Sequence, residues 1–231
     1  MTSPGEVTVT MDLARLRRPT EFLDSDSPTV RAFVARALPD PSAGTDIERA
    51  RALYYAVRDR IQYEVYDADL SRPGMRASAI IERGKGFCVH KSLVYAAVLR
   101  AVGIPSRLVY GDVRNHLASP RLVELVGGNV FTYHALTLVH LDGRWVKSTP
   151  VFSKLLCRMY KMTPLDFDGR TDSLYHPYDE TGRRHMEFLR WHGEFDDFPY
   201  ETVVGGLRSA HPRLFETAAR TTGGSLMAEA A

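Results

Sequence analysis

One cysteine at the start of an apolar helix constrains this chain more than any other feature. Residues 84–87 are rich in glycine and lead directly into Cys88 and an apolar stretch, 89–102, that predicts a buried helix. The first turn of a helix carries unpaired backbone N–H groups and the positive end of the helix dipole, so a cysteine placed there is biased toward the thiolate. The sequence therefore predicts a nucleophile held between a loop and the core.

A histidine follows on a strongly patterned segment further along the chain. Residues 131–141, which contain His134, and residues 144–151 both predict strands, and Asp142-Gly143 between them is a strong signal for a two-residue hairpin. An imidazole within reach of Cys88 would accept the thiol proton, as in enzymes that use a thiol nucleophile. The mechanism depends on the fold bringing these two residues together.

The register of this hairpin predicts which residue shares a face with His134. If Leu141 pairs with Arg144, Val151 lies opposite His134, and Thr149 lies at a diagonal position on the same face. A histidine base normally needs a third group that orients it and stabilises the imidazolium, and a carboxylate does this best. Thr149 offers a hydroxyl without charge.

Helices are predicted ahead of Cys88 and mixed structure after it. Ser27 is a predicted N-cap before Pro28, and Thr45 and Glu48 have the spacing of a capping box. Helices are predicted over 28–38, 46–61, 77–82, 186–191 and 202–210, and a further strand over 107–113.

The segment between the first two predicted strands, 114–130, is long for a connection. It contains a short helical stretch, 121–126, which ends at a pair of glycines. Connections of this length are often functional. We expect this one to form a lid or a wall for the substrate.

Together these patterns predict an α+β fold in which N-terminal helices and the cysteine helix pack on an antiparallel sheet. A chain of 231 residues is long enough for one sizeable core, so we expect a single domain, 1–231. Its predicted parts are a core over about 28–165, a C-terminal extension over about 166–212 and a flexible tail over 217–231.

Composition excludes several classes of protein. The 30 basic and 28 acidic residues are interspersed, so a nucleic-acid partner is not expected. No stretch is apolar enough to span a membrane, and no membrane partner is expected. The chain begins without the pattern of a signal peptide, so its two cysteines are expected to be reduced and the protein cytoplasmic. Cys157, among apolar neighbours, is predicted to be a buried, inert thiol.

The histidines other than His134 do not indicate a metal site. None has the spacing of a zinc site, so neither a metal nor another cofactor is expected. His116 is the exception as a possible neighbour of the active site, because it follows four residues after Asp112 at the start of the predicted lid. His140, His176, His185 and His192 are scattered along the chain and form no such pair.

Several of these motifs in combination resemble the core of the transglutaminase-like superfamily, which has a papain-like thiol fold. They are Gly86-Phe87-Cys88, Gly103 to Arg107, Tyr133-His134-Ala135 and Leu141 to Val146, and the resemblance covers roughly residues 45–152. It implies a triad of cysteine, histidine and aspartate, with Cys88 and His134 as its first two members. The position implied for the aspartate, four residues after Trp145, is held by Thr149.

Two explanations compete for this departure from the family pattern. Either the chain has lost catalysis, or the carboxylate comes from elsewhere. Asp112, near the end of the predicted strand 107–113, is the best replacement, because that strand should lie on the other side of the His134 strand. The order Cys88, Asp112, His134 is also similar to a branch of transglutaminase-like Dieckmann cyclases, which release polyketide-peptide chains as tetramate or pyridone rings.

These residues predict a cysteine acyl-transfer enzyme. Cys88 would attack a thioester, amide or ester carbonyl, and His134 would relay the proton; water, an amine or an internal carbanion would then resolve the acyl thioester. The expected substrate is a small-molecule or carrier-bound acyl thioester, or a peptide amide. An inactive binding module and a cysteine peptidase or amidase are the alternatives. The oxyanion would be held by the Cys88 N–H and a second donor, for which Gln62, Tyr63 and His90 are candidates.

Overall fold

A four-stranded antiparallel sheet covered by helices forms the centre of the molecule, so the α+β prediction is confirmed. The computed structural model describes residues 12–116, 118–174, 186–217 and 225–229. Within these ranges, no helix is both long and apolar enough to cross a lipid bilayer. The helices are α1 Pro28–Ala37, α2 Asp46–Arg60, α3 Ala77–Arg83, α4 Cys88–Ala101, α5 Pro120–Val126, α6 Lys154–Met159, α7 Tyr200–Ala210, α8 Pro212–Thr217 and α9 Leu226–Glu229. The strands are β1 Gln62–Tyr63, β2 Lys85–Gly86, β3 Ser106–Asn115, β4 Val130–Leu141, β5 Arg144–Ser148 and β6 Met186–Phe195.

The first two helices begin at the residues that the sequence predicts. The Ser27 side chain accepts a hydrogen bond from the backbone N–H of Val30, and Pro28 occupies the first helical position. At α2, Thr45 and Glu48 form a complete capping box, in which each side chain accepts from the other residue's backbone N–H at 3.2 and 2.7 Å. Local hydrogen bonds therefore fix both helix starts.

Helix α4 is buried from Cys88 through Arg100 and packs against α1, α2, α3 and the sheet. A helix that is enclosed on every side can carry a charged group only if that group has partners. Lys91 meets this condition, because its ammonium donates to the backbone carbonyls of Arg58, at 2.9 Å, and Ile61. These carbonyls lie at the C-terminal end of α2, where a cation is favourable. Burial nevertheless lowers the pKa of Lys91 to about 7.

The strand order in the large sheet is β5, β4, β3, β6. Leu141 pairs with Arg144 across the Asp142-Gly143 turn, as predicted. β5 ends at Ser148, opposite Thr137, so the expected pairing of Val151 with His134 does not form. Two features end the strand: Ser148 bridges to Ser173, and Pro150 has no N–H to donate.

The predicted helix over 186–191 is wrong, because these residues begin strand β6. The segment pairs along the free edge of β3, from Leu108 opposite Phe195 to Asn115 opposite Met186. Phe188 packs there against the small cluster of Val109 and its neighbours. Tertiary pairing thus overrides a weak local preference. The strand lies in the predicted C-terminal extension and completes the sheet.

Candidate active site

Cys88 is the first residue of α4, and a close contact shapes the loop before it. A Cβ atom at Gly86 would lie 2.5 Å from Cβ of His90, so only glycine fits there without displacing the helix. β1 and β2 pair as parallel strands, Tyr63 opposite Gly86, and hold the loop from the other side. The glycine motif therefore lets the loop approach the first turn of the nucleophile's helix.

The Cys88 sulfur lies beside the strand that carries His134. The backbone N–H groups of Ala135, of Val89 and of Cys88 itself interact with the sulfur and favour the thiolate. Burial acts in the opposite direction and dominates, since Cys88 is only 7% exposed, and the pKa of the thiol is raised to about 11. The prediction of a resting thiolate is therefore wrong for the free protein. Desolvation of the buried sulfur raises the pKa of Cys88 more than the backbone N–H groups at the helix start lower it.

His134 precedes Ala135 on β4 and pairs with Gly111 of β3. It is 6% exposed, and its Nε2 has no hydrogen-bond partner among the described residues. Burial disfavours the cation and lowers the pKa of His134 to about 4. The free protein thus holds a neutral imidazole with an unused nitrogen next to the backbone that contacts the sulfur.

Thr149 lines the same cavity as His134. Its side chain is buried, and its Oγ1 has no hydrogen-bond partner in the part of the chain that the structure describes. Its backbone carbonyl accepts from the Tyr54 hydroxyl at 3.1 Å, which fixes the residue against α2. The hairpin register therefore identified a cavity neighbour of His134, although Thr149 supplies no charge.

Asp112 does not bond to His134. Its Oδ1 lies 2.6 Å from Nε2 of His192 on β6 and accepts from the backbone N–H of Tyr133 at 3.2 Å. No hydrogen bond or ion pair joins it to His134 among the described residues. The cause is an irregularity between β3 and β4: Asp112 is the single residue opposite Thr132 and Tyr133, between the pairs Gly111–His134 and Val113–Phe131. The predicted contact between Asp112 and His134 is therefore wrong. Asp112 instead contacts the backbone N–H of Tyr133, the residue before His134.

The backbone immediately before His134 is strained and is held by several contacts. Tyr133 has a φ of +56°, which is unusual for a residue other than glycine. Its ring stacks on His192, with centroids 4.2 Å apart, and fits against Gly206 of α7, where a Cβ would lie 2.1 Å from the ring. The Thr132 N–H donates to Nε2 of His211 at 3.0 Å. Side chains therefore satisfy the amides that the bulge leaves unpaired.

His192 and His211 are site neighbours that the sequence did not reveal. Each is a single histidine without a motif, and its relevance depends on strands and helices that meet only in the fold. His211 donates through Nδ1 to the Val126 carbonyl at 2.8 Å, so its Nε2 is the acceptor for Thr132. Burial lowers the pKa of His211, which keeps the ring neutral.

An apolar cleft opens beside His134 and encloses about 650 Å³, counting its open mouth. The segment predicted to be a lid or wall, 114–130, contributes part of its lining. Such a cleft suits an apolar group, with polar atoms at its edges to set orientation. The lining residues are Tyr63, Val113, Asn115, Ala118, Ser119, Leu122, Phe131, His134, Phe152, Leu156, Tyr160, Met162, Met186 and Leu226.

The remaining candidates lie outside this cleft, except Tyr63. Gln62 is exposed on β1, and His116 is exposed with its Nε2 3.7 Å from Glu187. His90 is buried and shares a 3.0 Å hydrogen bond with the carbonyl of Asp69. Gln62 and His116 are thus not among the residues that line this cleft.

Cys157 is 1% exposed, and burial raises the pKa of its thiol to about 11. It lines the smaller cavity that His134 and Thr149 share. Among the described residues, no cluster of histidine, cysteine or acidic side chains is arranged to hold a metal ion. His176 and His185 lie outside the described residues.

Comparisons with known proteins identify the fold. A sequence model of the transglutaminase-like superfamily matches residues 34–150, just over half of the chain. A comparison with curated protein sequences found no significant match.

Among solved structures, a candidate cysteine protease from Cytophaga hutchinsonii is similar, with a TM-score of 0.51 at 15% identity over 85% of this chain. The chain spans about half, 51%, of that structure's length. An arylamine N-acetyltransferase from Salmonella typhimurium gives a TM-score of 0.47 at 18% identity, covering 83% of this chain and 73% of that one. The family model places the chain in the transglutaminase-like superfamily, and the similarity to the Cytophaga structure agrees with that fold.

Proposed function

Because the chain belongs to the transglutaminase-like superfamily, we propose that it is an acyl-transfer enzyme that forms a thioester on Cys88. The observation that carries this proposal is the contact of the Cys88 sulfur with the backbone of Ala135, the residue after His134 on β4. The Nε2 atom of His134 has no hydrogen-bond partner among the described residues, and His134 lines the apolar cleft. The strand that contacts the thiol therefore carries a neutral base at the cleft.

The neutral resting state fits a general-base mechanism. His134 takes the proton from Cys88 as the sulfur attacks the acyl carbon, so the two charges form only while the bond is made. The carbonyl oxygen becomes an oxyanion, which the Cys88 backbone N–H at the helix start is suited to hold. The leaving group departs with the bonding electrons and takes the proton from His134 where it needs one. The product is acyl-Cys88.

The missing carboxylate argues for a reactive acyl donor. Thr149 cannot stabilise an imidazolium as a carboxylate would, so a long-lived His134 cation in this buried site is costly. Both donors form that cation when His134 takes the Cys88 proton, and a peptide amide adds a high intrinsic barrier because its amine is a poor leaving group that must be protonated to depart. A thiolate is a much better leaving group, so a thioester has the lower barrier and tolerates a costly cation; the released thiol then takes up the proton held by His134. Thioesters are therefore the favoured donors over peptide amides.

Three second nucleophiles are compatible with the acyl-enzyme. Water would give a hydrolase, an amine would give an amide, and an internal carbanion would give the ring closure of a Dieckmann cyclase. Each would take over the acyl group with His134 acting as the base. Analysis of the product released when the adduct turns over distinguishes them.

The test is intact-mass analysis after incubation with a panel of acyl thioesters of N-acetylcysteamine. We expect the mass to increase by one acyl group, with the adduct on Cys88. The adduct should be absent in Cys88→Ala and present in the matched control Cys157→Ala, which removes the other buried thiol. No adduct from any thioester, or equal labelling of both cysteines, would instead support a binding module that retains the fold without turnover.

A further inference from the structure

The last described segment, α9, contributes Leu226 to the wall of the cleft beside His134. The Leu226 side chain is 5% exposed and lines this cleft together with His134. The Leu226 N–H donates to Oε2 of Glu64 at 3.2 Å, and the Leu226 carbonyl accepts from the Tyr160 hydroxyl at 3.0 Å. The cleft therefore contacts the side chain and both backbone polar groups of one apolar residue.

Glu64 is fixed for this contact before any ligand arrives. The residue is 3% exposed, and its Oε1 accepts from the backbone N–H groups of Val65 and Tyr66 at 2.9 and 3.1 Å. The other carboxylate oxygen, Oε2, is thus left to accept the Leu226 N–H. A buried acceptor, a hydroxyl donor and apolar walls are the three elements that recognise an aminoacyl residue with an apolar side chain.

Glu229, at the end of α9, makes polar contacts at the rim of the cleft. Glu229 accepts from the Ser119 hydroxyl at 2.9 Å and lies 3.4 Å from the Arg121 guanidinium. Arg121 is 46% exposed in its side chain, and ion pairs of this kind contribute little to stability. These contacts hold α9 at the cleft but leave it displaceable by a ligand.

We propose that the position of Leu226, in the wall of this cleft, is a subsite for an apolar aminoacyl residue of the acyl donor and that Leu226 fills this subsite in the free protein as an internal competitor. This inference deepens the proposed acyl-transfer function and rests on it. In a substrate, the N–H would bind Glu64, the carbonyl would bind Tyr160, and the side chain would replace that of Leu226.

The experiment uses the full chain and the probe N-acetyl-leucine methylamide, with N-acetyl-glycine methylamide for comparison. Leu226→Asp should expel the segment, because the cleft is apolar and Glu64 would repel a second carboxylate. The matched control is Leu189→Asp on β6, where the leucine is 43% exposed. Binding is followed by ligand-detected NMR titration, and circular dichroism checks that each variant is folded.

We expect the leucine probe to bind Leu226→Asp at least tenfold more tightly than it binds the wild type or Leu189→Asp. It should also bind Leu226→Asp at least tenfold more tightly than the glycine probe does. Adding Tyr160→Phe should weaken it about three- to tenfold, as expected for one lost hydrogen bond.

Equal binding of the leucine probe to Leu226→Asp and the wild type, or equal binding of the two probes, would overturn the subsite. Binding needs no thiol, so it should persist when Cys88→Ala is added to Leu226→Asp. The titration can therefore be interpreted even if no acyl adduct forms on Cys88, and the adduct test can be interpreted even if the leucine probe does not bind.

Discussion

His134 and His192 lie on the two strands that flank β3, yet only His192 has a carboxylate. His192, on β6, shares a 2.6 Å hydrogen bond with Asp112, whereas His134, on β4, has an Nε2 without a partner among the described residues. Asp112, the carboxylate that residue order suggests for the triad, thus fixes a backbone bend next to the proposed base. The comparison teaches that a triad read from residue order can assign an acid to the wrong histidine.

The largest expected effect separates these two histidines. His134→Gln removes the proposed base, so the rate of acyl-Cys88 formation should fall by roughly 10²- to 10⁴-fold. His192→Gln should reduce the rate less than about tenfold, because His192 acts only through Tyr133 and Asp112. Stopped-flow or quenched mass analysis of the adduct measures both. A larger loss in His192→Gln than in His134→Gln would reverse the assignment.

The second prediction restores the carboxylate at the position that the family pattern implies. Thr149→Asp places an anion in the cavity that His134 lines, and the pKa of His134 should rise by roughly 1 to 3 units from its value of about 4. NMR titration of the ring protons measures it. Thr149→Asn is the uncharged control and should leave that pKa close to the wild-type value. No difference between the variants would mean that residue 149 does not face the ring.

The third prediction concerns Asp112 as a positioning residue. Asp112→Asn weakens its bonds to Tyr133 and His192, so the rate of acyl transfer should fall about tenfold as the strained backbone relaxes. The acid limb of the pH–rate profile should not move, because Asp112 does not contact the His134 ring. A shift of that limb by a full pH unit would instead show direct coupling to His134.

The last prediction is a dependence of stability on pH. The pKa values of His90 and His134 are lowered to about 4 from 6.5, and that of His211 is also lowered, all mainly by burial. The unfolded chain therefore binds protons that the folded protein excludes. The free energy of unfolding should fall as the pH drops from 7 toward 4, by at most about 1.4 kcal/mol per pH unit for each histidine.

Urea unfolding at pH 7, 6 and 5 measures this slope. His134→Gln should make the slope shallower, because one excluded proton is no longer involved. An unchanged slope in this variant would show that His134 is protonated equally in the folded and unfolded chain.

Much of the fold follows from local sequence. The capping box at Thr45, the hairpin at Asp142-Gly143 and the helix that begins at Cys88 each depend on residues close in the chain. β6 does not, because its pairing partner lies about 80 residues away and its own pattern is weak. Local chemistry therefore predicts the elements but misses the edge strand that closes the sheet.

The site was less predictable for the same reason. Residue type and local pattern placed Cys88 on a helix start and His134 on a strand, but the partner of Asp112 depends on a bulge that no local signal marks. The raised thiol pKa depends on how deeply the fold encloses the helix start. Leu226 reaches the cleft from the far end of the chain, in a region where only a flexible tail, 217–231, was predicted.

The enclosure of α4 separates what must stay fixed from what can be redesigned. Helix α4 is buried and packed against its neighbours from Cys88 through Arg100. We therefore expect the Cys88 sulfur to keep its position when the residues that line the cleft are changed. An engineer seeking a different acyl donor would leave the helix alone and graft new sequences into 114–130 and 225–229. The helix that carries the nucleophile and the segments that line the cleft are thus separate parts of the structure.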